Sequence, residues 1–405
     1  MTASYSFGIL FFIFALTPWV SFGLNNLDSQ PWTFIAALIF YLFIAKRVFM
    51  PHLSFLLITT LLIGLLITIY SGFNFNLKTI LRSSISYLSF PIFYIGFYNY
   101  FLKFGFPKKT FISVNIIWIL LGVFELFIPD IGGLFSEHRN AYGRGVTSLA
   151  PEPTFFGIYL FFSSWILLES EKFVLNAKTR FLIFLNFISV IFLAQSSMVL
   201  LFYSLAGAFF ICWRFFSFRI PKKSFIMLLF IFIFVCPIIF LSPYVLEGSR
   251  IYSIVSLFIK NPSLTQIILT DGSISQRAAD LYFSVFGMLN NYLLPGGLDT
   301  FNDMRSKNLT HTGDYFWWLT PSDKIMSWVG AFMYELGIFG LVVLFVIFKI
   351  SYQNTRTSKF SLALLVLILF SAIPVAFPLV PMLFAMFTFN KGRNHSKRIK
   401  ILKLS

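Results

Sequence analysis

The chain has 405 residues, of which 58% are hydrophobic and only 11% charged, and its formal net charge is +16. A soluble domain of this length needs about a quarter of its residues charged to cover its surface, so the composition excludes one; the mean hydropathy of +0.83 agrees. Apolar runs near twenty residues recur along the chain, each long enough to cross roughly 30 Å of hydrocarbon as a helix, and they are continuous rather than alternating, which argues against a β-barrel.

In chain order the apolar runs predict an all-α, polytopic protein with about 12 transmembrane helices. They cover residues 7–23, 33–45, 53–70, 84–102, 110–128, 153–168, 181–194, 198–216, 224–243, 326–348, 360–373 and 376–390. The first run lacks a basic leading region and a small-residue cleavage site, so it reads as a span rather than a signal peptide. The last two are short and broken by Pro374, Pro378 and Pro381. They read as two spans or as one re-entrant hairpin, which gives 11–12 spans and the same parity. Cys212 and Cys236 both fall in apolar runs and read as small buried hydrophobes, with neither a disulfide nor a metal site expected.

The basic residues fall on one set of alternate loops. Those loops and the tail carry 21 of the 31 Lys and Arg, among them Lys46, Arg47, Lys103, Lys108, Lys109, Arg219 and Lys222. The opposite short loops hold only Lys78, Arg82, Arg139 and Arg144. By the positive-inside rule both termini are expected in the cytoplasm. The positive charge then marks orientation and attraction to anionic inner-leaflet lipid, and no nucleic-acid partner is expected. Three regions follow: spans and a loop at 129–152 within 1–243, a large outer loop over 244–325, and spans plus a basic tail over 326–405. The large loop reads as partly helical. "SISQRAADLYFSVFGMLNNYLL" (273–294) has apolar residues at helical spacing, with Ser273 or Ser275 as N-cap and the "PGG" at 295–297 as terminator.

Candidate chemistry concentrates on the outer face. Arg144 lies between Gly143 and Gly145. It reads as a phosphate-binding guanidinium approached closely by ligand, or as an interfacial arginine reaching toward water. Glu152, between Pro151 and Pro153, reads as a general base or sugar-hydroxyl orienter, or as an ordinary acid at a helix N-terminus. Arg277 on the predicted loop helix is a second phosphate clamp or a solvated charge, and Arg250, Asp271, Asp280 and Asp314 complete the charged set. His311 and Tyr315 lie in "LTHTGDYFWWL" (309–319), whose aromatics suit sugar stacking or a membrane-interface belt equally. Glu335, inside a span, calls for a partner or a role because a charge in hydrocarbon is costly. The histidines His52, His138, His311 and His395 show no ligand spacing, so no metal is expected. The sequence has no paired-aspartate, Walker or nucleophile-elbow motif.

Four segments in order carry a resemblance. "GRGVTSLAPEPTFFG" (143–157) resembles the Arg-x-x-Gly…Glu/Asn-Pro loop of the O-antigen polymerase and O-antigen ligase superfamily. "SISQRAADLYFSVFGMLNNYLLPGGLDTF" (273–301) resembles its second arginine–helix signature. "THTGDYFWWL" resembles the His-Asn-x-Tyr element, with Thr312 in place of asparagine, and "YELGIFGL" (334–341) resembles the Glu-x-Gly-x-x-Gly span. The resemblance implies a GT-C-like membrane fold with one large periplasmic loop in the bacterial inner membrane. It also implies a glycosyltransferase that works on undecaprenyl-pyrophosphate-linked oligosaccharide without a cofactor. Arg144 and Arg277 would take the pyrophosphate, and Glu152 or His311 would activate the acceptor hydroxyl. Arg250, Tyr315 and Glu335 are further substrate-binding candidates, membrane lipid is the surroundings, and a chain-length regulator is a conceivable partner. Glu152–Pro153 in place of the Asn-Pro common in ligases tilts the choice from ligase to polymerase. A flippase or transporter is the alternative of a different class, disfavoured because few acids, Glu125 and Glu335, lie within spans.

Overall fold

A computed structural model describes residues 2–21, 30–44, 58, 62, 77–128, 131–136, 145–171, 175–217, 256, 265, 269, 272–298, 300–309, 316, 325–354, 358–371 and 373–389. The spans expected at 53–70, save residues 58 and 62, and at 224–243 lie outside the described residues, as do most of 244–271 and the basic tail. Among the described residues there is no β-strand, and the regular elements are helical. They are α1 (Thr2–Leu16), α2 (Trp32–Ile44), α3 (Leu77–Phe104), α4 (Lys108–Phe127), α5 (Pro153–Ser170), α6 (Ala177–Ser189) and α7 (Ser197–Ser217), followed by α8 (Gly272–Asn290), α9 (Phe301–Asn308), α10 (Trp328–Asn354) and α11 (Ser358–Leu369). A last helix, α12 (Leu379–Phe389), follows the Pro-broken turn.

Among the described residues, three helical stretches are long and apolar enough to cross a membrane: Lys108–Phe127, Ala177–Ala194 and Trp328–Ile347. At 1.5 Å rise per residue each reaches about 30 Å. Beyond the basic first turns of α4 and α6, their uncovered faces are mainly apolar. On α4 the exposed side chains include Ile117, Leu120, Phe124 and Phe127; on α10 they are Ile338, Val342 and Phe345. These recur at helical spacing, as a lipid-facing stripe does. The chain is a membrane-associated helical protein.

The chain folds as two units interleaved in sequence. Unit 1 comprises Met1–Ala45, Tyr100–Ile259 and Pro378–Ser405; unit 2 comprises Lys46–Asn99 and Lys260–Phe377. In unit 1, α5 is buried along almost its whole length, as a helix apolar on every side must be. The indole of Trp118 on α4 stacks on Tyr159 of α5 at 4.1 Å between centroids, and its Nε1 donates to the Leu16 carbonyl at the end of α1. Asn115 Nδ2 donates to Asn186 Oδ1, and Asn186 Nδ2 donates to Ser164 Oγ, which lies 3.2 Å from the Tyr203 hydroxyl. That chain ties α4, α6, α5 and α7 through polar groups where hydrocarbon supplies no partners.

In unit 2 three expectations are corrected. The loop helix begins at Gly272, so Ser273 and Ser275 lie inside α8 rather than capping it, and Ser275 is fully buried. The helix ends at Asn290, before "PGG", because Tyr292 and Leu293 turn left-handed at φ 54° and 65°. A short helix that the apolar pattern missed, α9, follows; its polar, charged sequence "FNDMRSKN" has no apolar stripe to detect.

Candidate functional site

The loop that opens the first resemblance is a fixed structure from Gly145 onward. Glu125, near the end of α4, turns a buried carboxylate onto it: both oxygens accept from the Thr147 N–H at 3.0 Å. Oε1 also accepts from the Thr147 hydroxyl (3.0 Å), and Oε2 from the Ser148 N–H (2.6 Å). Consecutive N–H groups aimed at one anion form a charge-assisted nest. Ser148 is left-handed, at φ 56°, and its hydroxyl donates to the Trp118 carbonyl at 2.7 Å. Val146 N–H donates to Leu193 O at 2.8 Å, and Ser136 Oγ donates to Ala150 O at 3.0 Å. Gly145 has a packing reason to be glycine. A Cβ there would lie 2.2 Å from Leu193 O, so its bareness admits the π-helical turn Val190–Ala194 that ends α6.

Glu152 stands at the end of this loop as the N-cap residue of α5, with extended backbone (φ −142°, ψ 150°) and Pro153 at the first helical position. Its carbonyl accepts the first helical N–H groups, from Phe155 and Phe156. Its side chain is half-buried and makes no capping hydrogen bond, so the carboxylate is not used up as a cap.

The second charged cluster is in unit 2. Asp280 on α8 is completely buried; its Oδ2 accepts from the Met326 N–H and its Oδ1 from Gln276 Nε2, each at 3.2 Å. Arg305 on α9, 2% exposed, brings Nη1 to 3.6 Å from Asp280 Oδ1, donates Nη2 to Asn302 Oδ1, and lies over the Phe301 ring at 5.8 Å. Burial pushes the Asp280 carboxyl up to about 6, against the opposing pull of the Met326 N–H, the Arg305 charge, the Gln276 amide and the Arg277 charge. Arg277 stands three residues before Asp280, half-buried, on a helix thereby fixed to α9 and to the approach to α10. Sequence reading named Asp280 and Arg277 but not Arg305, whose partner becomes visible only when α9 folds back on α8.

Glu335 and the glycines around it form a packed joint. The turn after α8 docks on α10: Gly296 N–H donates to Tyr334 O (2.8 Å), Gly297 N–H to Glu335 O (3.4 Å), and Ile338 N–H to Leu293 O (2.7 Å). Gly337 takes φ 55°, ψ −134° inside α10, and a Cβ there would sit 2.5 Å from Leu293 O. The Glu335 carboxylate is buried and accepts from the Tyr87 hydroxyl of α3. Tyr334 Oη lies 3.0 Å from Thr300 Oγ1, and its ring meets Phe301 edge-on. The glycine spacing that resembled a family motif thus has a local cause: a kink in α10 that admits the 293–297 turn.

Arg144, Arg250, His311 and Tyr315 lie outside the described residues, as do Asp271 and Asp314. Among the described residues no group of three His, Cys, Asp or Glu side chains is placed to hold a metal ion. No family model, curated protein or solved structure matches the chain.

Proposed function

We propose that this chain is a polymerase of glycan repeat units in the bacterial inner membrane. It is multi-pass, with about 12 spans and both termini cytoplasmic. It moves a growing glycan from undecaprenyl pyrophosphate to the non-reducing-end sugar of a lipid-linked repeat unit at the periplasmic face. The four-segment resemblance supports this reading, and the observation that carries it is the placement of Glu152. An uncapped, half-buried carboxylate heads α5 behind a loop held at several points. A base whose position is fixed before substrate arrives meets the first requirement of proton transfer.

In the proposed step the acceptor hydroxyl oxygen bonds to the donor's anomeric carbon while the bond from that carbon to the pyrophosphate oxygen breaks. The hydroxyl proton passes to Glu152 or His311, and the electron pair leaves with undecaprenyl pyrophosphate. Negative charge grows on the leaving group, where the guanidinium groups of Arg144, Arg277 and Arg250 would stabilise it. Tyr315 would stack on sugar. Glu335, whose carboxylate accepts from the Tyr87 hydroxyl, is a further substrate-binding candidate in this reading.

The test is lipopolysaccharide from a deletion strain carrying variant genes. Arg144→Ala and Arg277→Ala each yield a single repeat unit where wild type yields a ladder, with rates down about 10²–10³-fold. Wild-type ladders from both variants overturn the proposal. Loss of all attached glycan, the single-unit band included, in the deletion strain assigns the chain to the ligases. Purified protein that fails to extend verified lipid-linked repeat units in detergent assigns it to transport.

A further inference from the structure

The geometry points to Glu125 as the positioning residue of this site: its carboxylate holds Thr147 and Ser148 in a strained turn and thereby sets where Glu152 stands at the head of α5. The inference rests on the reading of Glu152 as the base.

Three observations carry it. Glu125 is an acid at 7% exposure in a helix long and apolar enough to span a membrane, where an ionisable group is costly unless it has a task. Its partners are donors from one short loop: two adjacent backbone N–H groups and one hydroxyl, all buried. Removing the carboxylate would take from those buried N–H groups the acceptor they share. Finally, Ser148 adopts a left-handed backbone that a serine does not take by preference. Such a conformation persists only where the surroundings over-determine it, and it concentrates at sites where geometry is functional. The shortest of the Glu125 bonds, 2.6 Å, falls on that residue's N–H.

From Ser148 the chain has three residues before Glu152. Ala150 N–H donates back to Thr147 O at 3.0 Å, and Pro151 and Pro153 restrict what remains. Little freedom separates the nest from the base. Glu125 touches no substrate in this scheme; it acts through the backbone.

The experiment uses the full-length protein in detergent, with Glu125→Ala, Glu125→Gln and Thr147→Val. Amide hydrogen exchange is followed over residues 145–152, and glycan extension is measured separately as kcat and KM. Exchange over 145–152 rises about 10–100-fold in Glu125→Ala, as expected when charge-assisted bonds open. It rises less in Glu125→Gln, which keeps one acceptor oxygen, and least in Thr147→Val. The fall in kcat follows the same order while KM stays within about threefold; a general loss of folding would not produce that graded split. Should Glu125→Ala not fold, the two milder variants give the same ordering. Unchanged exchange in any folded Glu125 variant overturns the inference, and so does raised exchange with wild-type kcat. If wild type extends no glycan, the polymerase reading fails, while exchange alone still decides whether Glu125 holds the loop.

Discussion

The hydroxyl of Tyr87 on α3 donates to Glu335 Oε2 on α10, joining two helices of unit 2 across 248 residues of sequence. Both groups are buried. A carboxylate at that depth needs donors, and a phenol that gives its hydrogen to an anion makes a stronger bond than one between neutral groups.

Tyr87→Phe is therefore expected to cost about 1–3 kcal/mol, because it removes a donor and leaves the acceptor buried. Glu335→Gln keeps an oxygen for Tyr87 and removes a buried charge, so its stability stays near wild type; Glu335→Ala loses both bond and volume. Thermal unfolding in detergent ranks the three. A Tyr87→Phe protein as stable as wild type would show that the bond contributes nothing.

The pH dependence of stability has contributions of opposite sign. Asp280 titrates at about 6 in the fold, above its ordinary value, so the folded state holds the proton more tightly. Its contribution is full below about pH 4 and is lost as pH rises through about 6, an effect of about 3 kcal/mol. Glu171, beyond the end of α5, goes the other way. Its partial burial raises its pKa, but the Lys108 ammonium, the Thr179 hydroxyl and the Asn176 N–H together hold it below the usual range. Its contribution is present above the ordinary glutamate value and is lost as pH falls through the lowered one. Melting curves from about pH 2 to 8 should lose the decline between about pH 4 and 6 in Asp280→Asn and the decline below the ordinary glutamate value in Glu171→Gln.

Arg305→Met should destabilise by about 3–5 kcal/mol, since Asp280 is left buried without its ion partner. Adding Asp280→Asn to that variant should recover a large part, because the pair's members are coupled. Additive losses in a double-mutant cycle would mean the 3.6 Å contact carries no coupling.

Gly337→Ala places a methyl group 2.5 Å from Leu293 O at a backbone angle that L-residues rarely adopt. Strain of about 1–3 kcal/mol plus displacement of the 293–297 turn is expected. The readout is a lowered melting temperature with faster amide exchange at Gly296 and Ile338, whose N–H groups donate across the joint. A Gly337→Ala protein with wild-type exchange there would show that the kink does not require glycine.

The long, uniformly apolar helices were the most legible part of the fold. The runs at 110–128 and 326–348 lie within two residues of α4 and of the first part of α10 at their starts, because a span's length and composition are imposed by its solvent. The helix at 273 was legible from its apolar spacing, but its end was not. "PGG" looks like a terminator, whereas the turn begins at Tyr292 and Leu293, residues that no local rule sends left-handed. They do so because the following segment must dock on the kink at Gly337. Glu152 and Arg277 stood out as charges in unusual company. Glu125 drew notice only as an acid inside a span, and Arg305 drew none.

Composition and charge pattern by themselves determined a helical, membrane-associated chain, because hydrocarbon admits only self-satisfied backbone and few charges. Chain order alone also marked which loops carry the unusual acids and arginines. Tertiary structure alone decided which buried charge meets which donor: Glu125 with the Thr147–Ser148 turn, Asp280 with Arg305, Glu335 with Tyr87. Each of these pairings is separated along the chain by 22 residues or more, and the free energy that selects it comes from removing both partners from solvent together. No sequence window contains that term.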